Sequence, residues 1–62
     1  MEEFKKVIEI INPDNGYKIE CWYRQLPSEL KLIHEGTEMT VDTNTMMLLF
    51  PEMMKFLTLV RR

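Results

Sequence analysis

The clearest structural pattern of the chain lies in residues 4–24, FKKVIEIINPDNGYKIECWYR. Apolar side chains recur at about every second position on both sides of Pro13–Gly16, a pattern typical of a β-hairpin. Proline sets the first turn dihedral, and glycine accepts the positive φ at the end of the loop. A four-residue loop gives these cross-strand pairs: Asn12 with Tyr17, Ile10 with Ile19, and Ile8 with Cys21. We therefore predict strands over residues 4–12 and 17–24.

The other face of this hairpin carries a second apolar patch. The same register predicts Val7 opposite Trp22, and Glu9 opposite Glu20. Like charges directly across a strand pair are unfavourable, and a β-bulge would relieve them. Aromatic and aliphatic groups of this kind are common at interfaces, so we expect the patch to bind a protein partner. Its members are Val7, Ile11 and Trp22, joined by Ile33 from the next hairpin.

Residues 30–42 predict a second hairpin about Glu35-Gly36, with strands over 30–34 and 37–42. A two-residue loop gives these pairs: His34 with Thr37, Leu32 with Met39, and Leu30 with Val41. The alternative is a short helix over residues 29–34, capped by Ser28 and closed by Gly36. The cross-strand agreement favours the hairpin.

A C-terminal helix is predicted over residues 44–60. Its apolar residues follow helical spacing: Met46, Leu49, Phe50, Met53, Leu57 and Val60. Asp42, Thr43 and Asn44 are the candidate N-caps, and Arg61-Arg62 suit the negative end of the helix dipole. Pro51 disfavours an unbroken helix, so the helix begins near Asn44 with a kink or begins at Pro51. Residues 56–60 could instead form a final strand.

These elements define one small α+β domain over residues 1–62. Its architecture is a four-stranded antiparallel β-meander of two hairpins, followed by one amphipathic helix packed on one sheet face. The composition, 45% hydrophobic and 29% charged in 62 residues, is typical of a compact globular chain. A single cysteine excludes a disulfide framework.

Residue types and charge exclude several function classes. Eight Lys and Arg against ten Asp and Glu give a net charge of −2, which creates no strong field for nucleic acid or anionic membranes. Both glycines lie in predicted turns, which leaves no phosphate-binding loop. Cys21 and His34 are the only evident nucleophile and base, and one histidine makes no metal site. We predict no enzymatic activity, no cofactor and no metal.

The chain is expected to be cytoplasmic. Its first residues lack the basic start and apolar core of a signal peptide. The longest apolar run, Met46–Phe50, has five residues, whereas a membrane span needs about 20.

Surplus apolar surface predicts self-association. Four strands at about 4.8 Å spacing make a sheet wider than one helix of about 10 Å can cover. Of the 15 residues from Met46 to Val60, 11 are apolar, which exceeds the single stripe of a surface helix. Monomers rarely leave such patches bare, so we expect a homodimer or a dedicated protein partner. The candidate self-association residues are Met47, Leu48, Met54 and Leu59.

A nucleic-acid-binding alternative depends on aromatic and basic side chains. The candidate residues are Tyr17, Lys18, Trp22, Tyr23, Arg24 and Lys31. In element order, four strands then one helix, the chain resembles the single-stranded-DNA-binding Whirly and transcriptional-coactivator folds. That resemblance implies dimerisation through the helices and binding of single-stranded nucleic acid.

The interpretation that the sequence favours is a non-enzymatic protein-binding module. A small domain with surplus apolar surface resembles the regulators and inhibitors of phages and mobile elements, which occupy a partner protein's surface. The alternatives are a single-stranded nucleic-acid-binding protein and a small structural subunit of a larger assembly.

Overall fold

The computed structural model describes residues 2–61, which form one antiparallel sheet followed by one helix. The strand order is β1-β2-β3-β4. The elements are β1 (Lys5–Ile11), β2 (Lys18–Arg24), β3 (Glu29–His34), β4 (Thr37–Asp42) and α1 (Thr43–Val60). The predicted α+β meander is confirmed. Arg62, proposed above to interact with the helix end, lies outside the described residues.

The first hairpin closes through the predicted four-residue loop. The Asn12 N–H donates to the Tyr17 carbonyl at 2.8 Å, and the Gly16 N–H donates back to the Asn12 carbonyl at 2.8 Å. Gly16 has φ +77°, the left-handed conformation that glycine adopts without steric cost. The side chain of Asn12 also accepts the Asp14 N–H at 2.9 Å. The loop therefore fixes the register of both strands.

A β-bulge alters the start of β1. Ile8 lies opposite Cys21 as predicted, but the register shifts between Lys6 and Ile8, and Lys6 lies opposite Trp22. The prediction that Val7 lies opposite Trp22 is therefore wrong, because Val7 is the extra residue of the bulge. The shift also turns Phe4 toward the Trp22 side of the sheet.

The like-charge pair between Glu9 and Glu20 remains in register. Its two carboxylates have separate hydrogen-bond or ion-pair partners. The Glu9 carboxylate lies 3.1 Å from the Lys18 ammonium and 3.4 Å from the Lys6 ammonium. These ion pairs lower the pKa of the Glu9 carboxyl, Lys18 most strongly. Glu20 accepts the Trp22 indole N–H at 2.8 Å. The pair is thus accommodated by one partner on the facing strand, Lys18, and by two on the same strands, Lys6 and Trp22. The bulge contributes by placing Lys6 on the same face as Glu9.

The second hairpin is confirmed, and the alternative of a short helix is wrong. Leu32 lies opposite Met39, and His34 lies opposite Thr37. Glu35 and Gly36 form the two-residue turn with φ of +52° and +79°. Two successive positive φ values are those of a type I′ turn, whose twist matches that of the flanking strands.

The helix begins at Thr43 and runs through Pro51 to Val60. Neither a start at Pro51 nor a final strand over residues 56–60 is correct. Asp42 caps the helix: its carboxylate accepts the Thr45 N–H at 2.9 Å and the Thr45 hydroxyl at 2.6 Å. The Thr43 N–H donates to the Ser28 carbonyl at 3.1 Å, which ties the helix start to the β2–β3 loop.

The isolated chain lacks a buried core among its described residues. Its radius of gyration is 13.3 Å, whereas a compact domain of this length has about 11 Å. We expected the helix to pack on one sheet face, but only its first half faces the sheet, and none of its described residues is buried. No described helix is long and apolar enough to cross a membrane.

Candidate binding surfaces

The strand register divides the sheet into two unlike faces. Residues directly opposite one another share a face, and successive residues alternate between faces. We call one the apolar face, with Ile8, Ile10, Ile19, Cys21, Leu30, Leu32 and Met39. We call the other the Trp22 face, with Ile11, Glu20, Trp22, Lys31 and Ile33.

An open groove of about 690 Å³ separates the helix from the apolar face. Nearly all of its lining is apolar. The sheet contributes Ile8, Cys21, Leu30 and Leu32, and the helix contributes Thr43, Met46, Met47, Phe50 and Pro51. No described residue beyond Pro51 lines it, so the second half of the helix is uncovered. Apolar side chains that filled this groove would form a hydrophobic core between the helix and the sheet.

Cys21 and His34, the nucleophile and base singled out in the sequence, both belong to the apolar face. Burial raises the pKa of the Cys21 thiol, the opposite of the shift that activates a cysteine nucleophile. His34 packs edge-on against Tyr17, with ring centroids 6.5 Å apart. The environment of Cys21 is that of a small apolar side chain lining a groove.

The helix has a second hollow on its outer side. This hollow has a volume of about 450 Å³ and is lined by Leu49, Glu52, Met53, Phe56 and Leu57. All these residues belong to the helix itself. Leu49, Met53 and Leu57 belong to the apolar spacing that predicts the helix. The structure places them on a surface that the sheet does not cover.

The predicted self-association residues do not lie together. Met47 lines the groove, whereas Leu48 does not. All four, Met47, Leu48, Met54 and Leu59, are exposed. Their role in self-association stays a prediction, and the structure adds the outer hollow as a surface that sequence reasoning did not separate from the core.

Trp22 belongs to a cation–aromatic cluster on its face, in which Lys31 contacts both aromatic rings. Its indole N–H donates to Glu20, and the Lys31 ammonium lies 5.4 Å from its ring centroid. Lys31 also lies 4.7 Å from the ring centroid of Phe4, and the Arg24 guanidinium lies 4.4 Å from the same point. Such contacts attract the cations to the faces of the aromatic rings. Phe4 was missed in the sequence because the bulge reverses its side.

The cations of this cluster are paired with carboxylates. The Arg24 guanidinium pairs with Glu29, and only 16% of the Arg24 side chain is exposed. The Lys31 ammonium lies 3.6 Å from Glu38. The buried Nε of Arg24 has no hydrogen-bond partner among the described residues. The positive charge of this face is therefore largely compensated within the chain.

The predicted partner-binding residues occupy the Trp22 face in part. Ile11, Trp22 and Ile33 belong to this face, and the Glu9–Glu20 pair separates Ile11 from Trp22. Trp22 and Ile33 are half-buried, whereas Ile11 is 64% exposed. Val7 is exposed at the bulge of the edge strand β1. Their role in binding stays a prediction.

The six candidate nucleic-acid residues are split between the faces. Lys18, Trp22, Arg24 and Lys31 lie on the Trp22 face, whereas Tyr17 and Tyr23 alternate to the apolar face. Each of the three cations lies within ion-pair distance of a carboxylate: Lys18 with Glu9, Arg24 with Glu29, and Lys31 with Glu38. The arrangement does not bring the six together as one stacking groove.

No group of three or more metal-ligating side chains occurs within residues 2–61. Comparisons with protein-family models, with curated proteins and with solved structures give no match for this chain. The two faces, the groove and the outer hollow are therefore interpreted from their own chemistry.

Proposed function

We propose that this chain is a protein-binding module, a small cytoplasmic regulator or inhibitor that acts as a homodimer by occupying a partner protein's surface. The observation that carries the proposal is the lack of any buried residue in the described part of the isolated chain. A chain with 45% hydrophobic residues gains stability chiefly by burying them. Other protein surface is the natural source of that burial.

The Trp22 face is the surface that we assign to the partner protein. Tryptophan and arginine are enriched among the residues that dominate binding energy. Here Glu20 and Lys31 hold the Trp22 ring, and Arg24 lies over Phe4. Side chains fixed before binding lose less conformational entropy when a partner docks. The exposed Ile11 extends this surface toward the first turn.

The internal pairing of Lys18, Arg24 and Lys31 supports a protein partner over single-stranded nucleic acid. Nucleic-acid affinity comes largely from cations that replace condensed counterions on phosphates. Here a phosphate would have to displace the carboxylates of Glu9, Glu29 and Glu38 first.

The test is affinity purification of the tagged chain from its native cells, with two matched variants. Ile11→Lys places a charge on the Trp22 face, and Leu26→Lys places the same charge in the β2–β3 loop. The two side chains are similarly exposed, at 64% and 69%, so neither variant removes a buried side chain. We expect a companion protein with the wild type and with Leu26→Lys, and at least tenfold less of it with Ile11→Lys.

Two results would contradict this proposal. A companion retained in full by Ile11→Lys would favour a structural subunit that binds through another surface. Saturable quenching of Trp22 fluorescence by a single-stranded oligonucleotide at low salt would favour the nucleic-acid alternative.

A further inference from the structure

The helix carries a heptad pattern of which only Met46 lines the groove beside its own sheet. Met46, Met53 and Val60 are spaced by seven residues, and Leu49 and Phe56 lie four residues before Met53 and Val60. We call these five residues the seam. In paired helices, residues at such positions enter holes formed by four residues of the facing helix. Leu49, Glu52, Met53 and Phe56, which line the outer hollow, have the i, i+3, i+4, i+7 spacing of such a hole.

The helix needs a covering partner to persist. Isolated helices of this length are marginal even for favourable sequences, and most helix stability in proteins comes from packing of an apolar face. Here Pro51 removes one backbone hydrogen bond inside the helix. Phe50, Met53 and Phe56 are all exposed in the isolated chain.

The exposed area matches the requirement of a homodimer. The chain exposes 5350 Å², whereas a folded monomer of 7.5 kDa exposes about 4,250 Å². The excess is about 1,100 Å² per copy, or about 2,200 Å² for a pair, which falls in the range of obligate homodimers. The apolar face adds to the area that the helix can contribute, since Ile8, Ile10 and Met39 are each more than half exposed.

The charges and the stoichiometry favour a second copy as the partner. The helix carries one acidic and one basic residue, Glu52 and Lys55, whose side chains lie 3.4 Å apart in the same chain. Two such helices approach without net repulsion. A surface that must be covered for the chain to stay folded also needs a partner present wherever the chain is made, and a second copy meets this condition.

We infer that a second copy of this chain covers the seam and the apolar face, so that the two α1 helices pair between the two sheets. Met53 and Leu49 then lie in the centre of the interface, and the groove beside Cys21 becomes part of its core. This inference rests on the homodimer of the proposed function and specifies the surface that forms it.

The test compares two glutamate variants of the same helix by light scattering over a dilution series. Met53→Glu places a carboxylate in the seam, and Thr58→Glu places one on the same helix outside it. In a dimer of Met53→Glu, each copy would lose one methionine from the interface and place one carboxylate there. We therefore expect the dimer dissociation constant of Met53→Glu to rise about 1,000-fold or more. Thr58→Glu should keep the mass and dissociation constant of the wild type.

A second measurement covers the case in which Met53→Glu unfolds instead of dissociating. Met53→Lys is prepared separately and mixed with it in equal amounts, since opposite charges remove the like-charge repulsion between copies. Recovery of helical circular dichroism and of dimer mass in the mixture supports the inference. An unfolded mixture overturns it.

The failures of this inference and of the proposed function are distinguishable. A wild-type dimer whose mass is unchanged in Met53→Glu overturns the seam but leaves the homodimer intact. A folded wild-type monomer at micromolar concentration overturns both the seam and the homodimer, and leaves the assignment of the Trp22 face to be judged by Ile11→Lys.

Discussion

Replacement of Glu35 by asparagine should stabilise the protein. Glu35 occupies the first position of the type I′ turn with φ +52°. A left-handed conformation costs an ordinary L-residue about 1–2 kcal/mol, and asparagine bears less of this cost because its short side chain bonds to the local backbone. The Glu35 side chain is exposed and makes no hydrogen bond or ion pair with another described residue. The substitution therefore removes no side-chain interaction that would offset the lower cost of the left-handed backbone.

We expect Glu35→Asn to raise the free energy of unfolding by about 0.5–1 kcal/mol per chain. For a domain of this size, that corresponds to a rise in Tm of about 2–8 °C. The assay is thermal unfolding followed by circular dichroism, with all variants at one protein concentration because association shifts Tm.

Glu3→Asn serves as the control, since it makes the same chemical change at an exposed residue outside any strand or turn. Its Tm should stay close to that of the wild type. A Tm of Glu35→Asn equal to or below the control would refute the assignment of a type I′ turn, and with it the register of the second hairpin.

Three further predictions concern single side chains. Hydrogen bonds from Thr45 lower the pKa of Asp42. The contribution of this N-cap to stability is therefore present above about pH 4 and is lost as the pH falls through the lowered pKa. Asp42→Asn should flatten this part of the Tm–pH profile, and an unchanged profile would count against the cap. Lys31→Gln removes the ammonium beside Trp22. It should lower the free energy of unfolding, measured by urea titration, by about 0.5–1 kcal/mol, and it should shift the fluorescence emission of Trp22. An emission spectrum identical to that of the wild type would contradict the cation–aromatic cluster. Since burial raises the pKa of Cys21, its alkylation at pH 8 should be slower than that of a free thiol. Alkylation should slow further as protein concentration rises, because a second copy then covers the groove. A rate independent of protein concentration would argue against coverage of the groove by a second copy.

The hairpins could be predicted from sequence because their turns and their alternation agree. Pro13–Gly16 and Glu35-Gly36 each fix a loop length, and a slip of one residue would reverse every apolar side chain. The bulge at Val7 could not be predicted. A residue inserted at Val7 reverses the face of the residues before it. Strict alternation therefore assigns Phe4 to the apolar face, whereas its contacts with Arg24 and Lys31 place it on the Trp22 face.

The helix surfaces could not be assigned from sequence for a different reason. Apolar residues surround most of the helix, so periodicity finds the helix without telling which side faces the sheet. The structure makes the division: Met46 and Phe50 line the groove, whereas Leu49 and Phe56 line the outer hollow. The spacing by seven residues was the available signal for the second surface.

Pairing with a second copy would complete the core of this chain. The pairing can be measured by sedimentation equilibrium of the wild type, with circular dichroism on the same samples over a hundredfold dilution. We expect twice the chain mass of 7.5 kDa at high concentration, and a joint loss of mass and helical signal on dilution. A species of 7.5 kDa that keeps its full helical signal at every concentration would contradict it.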